Sequence, residues 1–205
     1  PSVIQHAFMS TGQMVLQNVI NRYGIIVMAG YSVAFRINGL YVNSNMALSN
    51  ALSGFIAQNK GGGKIQRIRQ SYRLSVIITG VFSLLTVLLL LTCGRPILAF
   101  FVGDDPEKAE IVAAGMGFFR IVVPFYLMVF LKNVSDGALR GIGNMKAFMF
   151  ATILDVLFRI FLGPIFSDRF GLNGVWWVWP AAWLVGTSIS FGAWLWSIHK
   201  LSKHA

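Results

Sequence analysis

Two aspartates in apolar surroundings, Asp136 and Asp155, are the residues in this sequence best suited to acid–base chemistry. A pair of carboxylates can act as an aspartyl protease dyad when the two groups share one proton. Each aspartate, however, has a basic residue four positions away: Lys132 precedes Asp136 and Arg159 follows Asp155. Residues four apart lie on the same face of a helix, where opposite charges attract. The spacing therefore predicts two ion pairs, and the pair of Asp155 and Arg159 is predicted to be structural.

No other group of residues indicates catalysis. His6, His199 and His204 are too scattered to suggest a metal site, and no Ser-His-Asp arrangement can be argued. Cys93 is the single cysteine, which excludes an internal disulfide. We therefore expect no catalytic residue, no bound metal and no enzymatic activity.

The stretch AQNKGGGKIQRIRQSYR, residues 57–73, carries five basic side chains and no acid. A phosphate-binding loop would need a glycine five positions before Gly63, and Ser or Thr after Lys64. Gln58 and Ile65 occupy those two positions, so the motif is absent. The glycine triplet is instead typical of a helix end followed by a turn.

The elements that carry these residues have the composition of a membrane protein. Of the 205 residues, 56% are hydrophobic and 12% are charged, and the mean hydropathy is +0.66. Soluble domains contain about 25% charged residues. A net charge of +10 would suggest nucleic-acid binding in a soluble protein, but in a membrane protein it is the expected excess of Lys and Arg in cytoplasmic loops. We expect no nucleic-acid partner.

Six stretches are apolar and long enough to cross a bilayer, which takes about 20 helical residues. They lie near residues 3–22, 32–58, 74–93, 111–134, 146–166 and 175–198. The sequence thus predicts an all-α membrane protein with six transmembrane helices. In the last stretch, Trp176, Trp177 and Trp179 lie at one end and Trp194 and Trp196 at the other, which predicts aromatic anchors at both membrane interfaces.

The connections between these spans differ in charge. One side collects nine Lys and Arg, whereas the other has four, together with five acidic residues. The side that is rich in Lys and Arg usually faces the cytoplasm. We predict a multi-pass protein of the plasma (inner) membrane whose basic loop 60–73, loop 140–146 and C-terminus are cytoplasmic. Anionic head groups of membrane lipid are the expected partners of the basic loop.

Polar side chains form a stripe on one face of each of the first two predicted helices. The members are His6, Gln13 and Gln17 on the first helix, and Arg36, Asn43 and Asn50 on the second. Lipid would leave these groups without hydrogen bonds, so the stripes must face protein or water. Two alternatives stay open: the stripes line a water-filled cavity, or they hold the helices of a bundle together.

The fourth predicted helix has further unusual features. Pro124 near its middle predicts a kink beside a cavity or a moving segment. Asp136 comes just before GALRG, in which Gly137 and Gly141 allow another backbone to approach closely. Asp136 is therefore a candidate for substrate contact as well as for an ion pair, and Tyr126 is a candidate wall of the same cavity.

Three segments together resemble the multidrug and toxic compound extrusion (MATE) family of transporters. They are GYSVAFRI (30–37), ALSNALSGFIAQNKGGGK (47–64) and GALRGIGN (137–144), and the opening PSVIQ is similar to the start of the family's seventh helix. The resemblance implies that residues 1–205 are the C-terminal six-helix lobe of a twelve-helix transporter, with the N-terminal lobe absent from this sequence. It also implies an antiporter that exports small organic, cationic or amphipathic substrates in exchange for Na⁺ or H⁺ by alternating access.

The sequence departs from the family where some members bind the coupling cation. Those members carry a Glu in the seventh helix and an Asp in the tenth, but the matching stretches near Met9 and Val129 are apolar, and Asn38 replaces an acid that is common in the eighth. We therefore expect no cofactor in this lobe and the coupling ion in the missing N-terminal lobe, which is the expected partner. The predicted substrate-binding residues are His6, Gln13, Gln17, Arg36, Asn43, Asn50, Asp136 and Tyr126.

Two alternatives compete with a drug exporter. A flippase for lipid-linked sugars belongs to the same superfamily and would use Arg36 and Arg120 to hold a pyrophosphate group. A non-catalytic membrane scaffold would use the polar stripes only to join helices. The AQN and GALRG segments favour MATE over both.

Overall fold

The computed structural model describes the backbone of residues 2–203 and the side chains of residues 12–203. Its helices are α1 (Ser2–Asn21), α2 (Ile25–Gly61), α3 (Ile65–Val102), α4 (Lys108–Val122), α5 (Tyr126–Gly141) and α6 (Met145–Lys203). A short 3₁₀ helix, Val123–Phe125, lies between α4 and α5. No strand occurs in residues 2–203. The predicted all-α class is confirmed.

Four helical segments are long and apolar enough to cross a membrane: α2, α3, the segment Lys108–Gly141 and α6. The first predicted span coincides with α1, a helix of 20 residues that is not one of these four segments among the described residues. The fifth and sixth predicted spans both lie on α6. This helix is broken at Gly171, whose φ of 62° and ψ of −150° are not helical. Composition and fold together describe a multi-pass membrane protein.

The glycine triplet ends α2, as the sequence predicts. The helix finishes at Gly61, and Gly63 has a φ of 68°, a conformation that glycine adopts without steric cost. The amide of Lys64 then donates to the carbonyl of Asn59 at 2.9 Å, which closes the last turn of the helix.

The predicted kink at Pro124 is also present. α4 ends at Val122, the chain makes one 3₁₀ turn through Pro124, and α5 begins at Tyr126. Proline has no amide hydrogen and its ring crowds the preceding turn, so the regular hydrogen-bond ladder cannot continue through it.

Aromatic side chains of α2, α4 and α6 form the centre of the larger core cluster. The rings of Tyr31 and Trp176 stack with their centroids 5.5 Å apart, and Phe118 meets Trp176 edge to face at 5.4 Å. A second cluster, which includes Ile56, Tyr72 and Trp194, holds α2, α3, α5 and α6 together nearer the basic connections. In a membrane, where lipid is as apolar as the core, close packing of these rings rather than their removal from water favours association of the helices.

The expectation that all the tryptophans at the ends of the last span act as interface anchors is wrong. Trp176, Trp179 and Trp194 are at most 3% exposed, because they pack inside the lobe. Trp177 and Trp196 are 47% and 62% exposed, and their positions are compatible with the interface between membrane and water.

The basic segments gather at one end of the molecule. The Lys60 ammonium donates to the carbonyl of Ile142 at 2.5 Å, which joins the last turn of α2 to the turn after α5. The Asn144 amide donates to the Ser197 hydroxyl at 2.9 Å and brings the C-terminal part of α6 to the same end. The loop 60–73, the loop 140–146 and the C-terminal part of α6 therefore lie at the same end of the molecule, as the distribution of Lys and Arg predicts.

Candidate substrate-facing surface and internal charges

One face of α2 carries exposed polar side chains along most of its length. Arg36, Asn43 and Asn50 recur at seven-residue intervals and are all exposed. Neither of the two ion pairs among residues 12–203 includes Arg36. A guanidinium at membrane depth is too costly to leave in lipid, so this surface requires water or another protein surface.

Two of the three predicted polar residues of α1 lie within the described side chains. Gln13 and Gln17 are partly exposed, and the amide of Gln17 donates to the Asn21 side chain at 3.1 Å. The side chain of His6 lies outside the described residues. The structure thus assigns Gln13 and Gln17 to a partly open face of the first helix.

Asn50 takes part in a contact that ties α2 to α5. A terminal nitrogen of Arg140 donates to Asn50 Oδ1 at 2.9 Å and to Ser49 Oγ at 3.1 Å. The Ser49 hydroxyl in turn donates to the carbonyl of Asn133 at 2.6 Å, and the Arg140 guanidinium lies 4.9 Å from the centre of the Phe148 ring. The Arg of GALRG therefore locks the two helices together at the basic end.

Gly137 and Gly141 of the same segment allow the backbones of α2 and α5 to approach each other closely. A Cβ added to Gly137 would overlap the backbone oxygen of Ser49, and one added to Gly141 would lie 2.7 Å from the oxygen of Ser53. The prediction that Gly137 and Gly141 admit a neighbouring backbone is confirmed.

Asp136 is buried and both of its oxygens are occupied. Its Oδ2 lies 2.7 Å from the Lys132 ammonium, and its Oδ1 accepts a hydrogen bond from the Ser190 hydroxyl at 2.5 Å. The side chain is 5% exposed. The ion pair follows from the sequence spacing, whereas Ser190 lies on another helix, 54 residues away, and no local pattern points to it.

The second ion pair also forms, with 2.8 Å between Arg159 and Asp155. The Arg159 guanidinium lies 4.4 Å from the centre of the Trp179 ring, which adds a cation–π contact. Both pairs converge near Gly186, where an added Cβ would lie 2.7 Å from Lys132 Cε and 3.4 Å from Asp155 Oδ1. Two carboxylates and two cations thus neutralise one another inside the lobe.

Tyr126 lies in the core and has no exposed surface. Its hydroxyl donates to Asn38 Oδ1 at 2.7 Å, and its ring stacks on Tyr41 at a centroid distance of 3.9 Å. The Tyr41 hydroxyl donates to the carbonyl of Tyr126 at 3.0 Å. Asn38 therefore supplies an acceptor for the buried phenol.

The arrangement combines an exposed polar stripe with an internally neutralised set of charges. Among the described residues, no group of three His, Cys, Asp or Glu side chains lies close enough to hold a metal ion. Lys132, Asp136, Asp155 and Arg159 have their partners within the lobe, whereas Arg36 and Asn43 on α2 are open to a ligand or to solvent.

Comparison with known proteins identifies the architecture. The family model described as MatE matches residues 1–165. A solved structure described as "Crystal structure of MATE in complex with MaL6" superimposes with a TM-score of 0.90 at 19% identity, and the match covers 99% of this chain and 46% of that one.

Curated relatives agree at the level of sequence. The "Probable multidrug resistance protein NorM" of Deinococcus radiodurans is 24% identical over 159 residues, 76% of this chain and 35% of that protein. The human "Multidrug and toxin extrusion protein 1" is 28% identical over 170 residues, 78% of this chain and 25% of that protein. The chain therefore spans about a third or less of the length of these relatives, and somewhat under half of the solved structure. With a family model that matches most of its residues and a six-helix fold shared with solved transporters, the chain belongs to the MatE family of membrane transport proteins.

Proposed function

We propose that this chain is the C-terminal lobe of a multidrug exporter. The full transporter moves organic, cationic or amphipathic compounds out of the cell by alternating access, in exchange for Na⁺ or H⁺. The observation that carries the proposal is the exposed stripe of Arg36 and Asn43 on α2, which needs an aqueous cavity or a partner lobe beside it. The names of the two relatives given above support drug efflux.

The arrangement of charge supports a coupling ion outside this lobe. Asp136 and Asp155 are 5% and 7% exposed, and each already has a cationic partner. A third cation would have to compete with Lys132 or Arg159 for a carboxylate that is already neutralised. We therefore assign the Na⁺ or H⁺ site to the N-terminal lobe, which is the partner of this chain in the proposal.

The proposed substrate surface consists of Arg36 and Asn43, with Gln13, Gln17 and His6 on the neighbouring helix. Asn50, Asp136 and Tyr126 would reach a substrate only if their present hydrogen bonds opened during transport. The basic end of the lobe is proposed to face the cytoplasm, following the distribution of Lys and Arg.

Accessibility to a water-soluble thiol reagent tests the cavity. Cys93 is exposed and is first replaced by serine. A cysteine at Asn43 or Gln13 is then expected to react with a membrane-impermeant maleimide in cells that express the native gene product. Cysteines at Leu88, on the apolar face of α3, and at the buried Asn45 are the controls and should stay unlabelled. Equal protection of Asn43 and Asn45 would reject the cavity in favour of a scaffold.

Export assays then test the transport function. Arg36→Gln and Asn43→Leu are expected to change the efflux rate of organic dyes at unchanged protein level, because each alters the proposed substrate surface. Leu88→Ala is the matched control on a surface outside the stripe. The flippase for lipid-linked sugars is not favoured, since the two relatives named above carry the names of drug extrusion proteins.

A further inference from the structure

A groove of about 520 Å³ runs between α2 and α3, away from the exposed polar stripe. Apolar side chains form most of its walls: Leu48, Leu52 and Phe55 on α2, and Leu74 and Ile78 on α3. At the end near the start of α3 it is bordered by Arg67, Gln70 and Ser71. Ser75 and Thr79 also line the groove, and the Thr79 hydroxyl donates to the carbonyl of Ser75 at 2.6 Å. The groove is therefore polar and basic at one end and mainly apolar along the rest of its length.

The polar end carries a positive charge that has no acidic partner. Arg67 is exposed and takes part in neither ion pair of the described residues. The sequence contains no Asp or Glu before Asp104, so no acid of the basic connection or of α3 neutralises it. Ser71 already donates to the carbonyl of Ile68 at 2.9 Å, which leaves Arg67 and Gln70 as the groups available to a ligand.

The groove opens beside a surface suited to lipid. The neighbouring face of α3 exposes Ile77, Val81, Leu84, Leu85 and Leu88, each between 46% and 62% of its surface. A continuous row of large aliphatic side chains on a membrane helix faces acyl chains, because exposing so much apolar surface to water would be unfavourable.

We propose that this groove binds one anionic phospholipid, with its phosphate held by Arg67 and Gln70 and an acyl chain lying along Phe55, Leu74 and Ile78. The order of polarity along the groove matches the order of head group and chain in a phospholipid. The guanidinium donates two parallel hydrogen bonds to a phosphate, which a zwitterionic head group would partly oppose with its own cation. The site lies outside the substrate surface and does not depend on the proposed export activity.

The test uses the purified full-length protein and measures lipid binding by native mass spectrometry. Palmitoyl-oleoyl phosphatidylglycerol is titrated against phosphatidylcholine of the same chains, and inorganic phosphate serves as the head-group probe. We expect tight retention of one phosphatidylglycerol per chain at this site, with about fivefold weaker binding in Arg67→Gln, the effect of one basic residue at an anionic surface. Arg69→Gln removes the same charge two residues away, from a side chain that does not line the groove, and should bind as the wild type does.

A second pair of variants tests the apolar part of the groove. Ile78→Trp fills the space for the acyl chain and should weaken retention, whereas Ile77→Trp enlarges a side chain outside the groove and should not. Equal losses in Arg67→Gln and Arg69→Gln would overturn the site in favour of nonspecific attraction to the basic loop. Full retention in Ile78→Trp, or displacement of the lipid by inorganic phosphate alone, would overturn the bound acyl chain. Each variant is compared at equal folded yield, judged by its elution from size exclusion.

Discussion

The Lys60 ammonium donates a hydrogen bond to the carbonyl of Ile142, the residue directly after α5 and 82 positions further along the chain. That carbonyl follows the end of α5 and has no next helical turn to pair with it. A cation at the C-terminal end of a helix is also favoured by the helix dipole. Lys60, which follows the AQN segment, therefore contacts the residue directly after GALRG.

Replacing Lys60 by methionine is expected to lower the free energy of unfolding by about 1 kcal/mol, because a hydrogen bond to a charged group is lost at a partly solvated site. Thermal unfolding in a fixed detergent measures the change. Lys64→Met removes a neighbouring charge whose side chain makes no hydrogen bond among the described residues, and it should leave the midpoint unchanged. Identical midpoints for the two variants would show that only net charge matters.

Gly137→Ala is expected to reduce stability by about 1–3 kcal/mol, the usual cost of inserting an atom where none fits. The new methyl group would overlap the backbone oxygen of Ser49, and backbone yields less easily than a side chain. Gly54→Ala is the control, because nothing lies within 4 Å of its added Cβ. Alanine there should be neutral or stabilising by up to about 1 kcal/mol through helix propensity. Similar folded yields of both variants would contradict the close packing of α5 on α2.

Several of these contacts follow from the sequence, and others do not. The four-residue spacings predict the pairs of Lys132 with Asp136 and of Asp155 with Arg159, because a helix has a fixed period. Pro124 and the glycine triplet likewise predict local breaks from backbone chemistry alone.

The contacts that sequence reasoning did not predict depend on how helices pack. Ser190 contacts Asp136 from a distant part of the chain, and Tyr126 is buried against Tyr41 and Asn38. Helical period tells which residues share a face, but it does not tell which neighbouring helix that face meets. The break at Gly171 was hidden for a related reason, since a single residue with non-helical dihedral angles leaves no mark on hydropathy.

Asp136→Asn is expected to destabilise the protein by about 3–5 kcal/mol, the cost of leaving a buried partner charge uncompensated. The Lys132 ammonium would lose its carboxylate, although Asn could still accept from Ser190. Adding Lys132→Met removes the stranded charge, so the double variant should recover most of the lost stability. The control Asp168→Asn changes an exposed acid and should have no measurable effect. If the double variant were as unstable as Asp136→Asn, the ion pair would not be the cause.

Tyr126→Phe separates a role in packing from a role in substrate binding. The change removes the hydroxyl that donates to Asn38 and leaves a buried acceptor without a partner, so we expect a loss of about 1–3 kcal/mol in stability. Because the ring has no exposed surface, the KM for dye export by the full transporter should not change. Tyr72→Phe is the matched control: its buried hydroxyl lies 2.9 Å from the Ser135 hydroxyl, and it should lose stability in the same way. A rise in KM for Tyr126→Phe alone would mean that the stack with Tyr41 opens during transport and that Tyr126 then contacts the substrate.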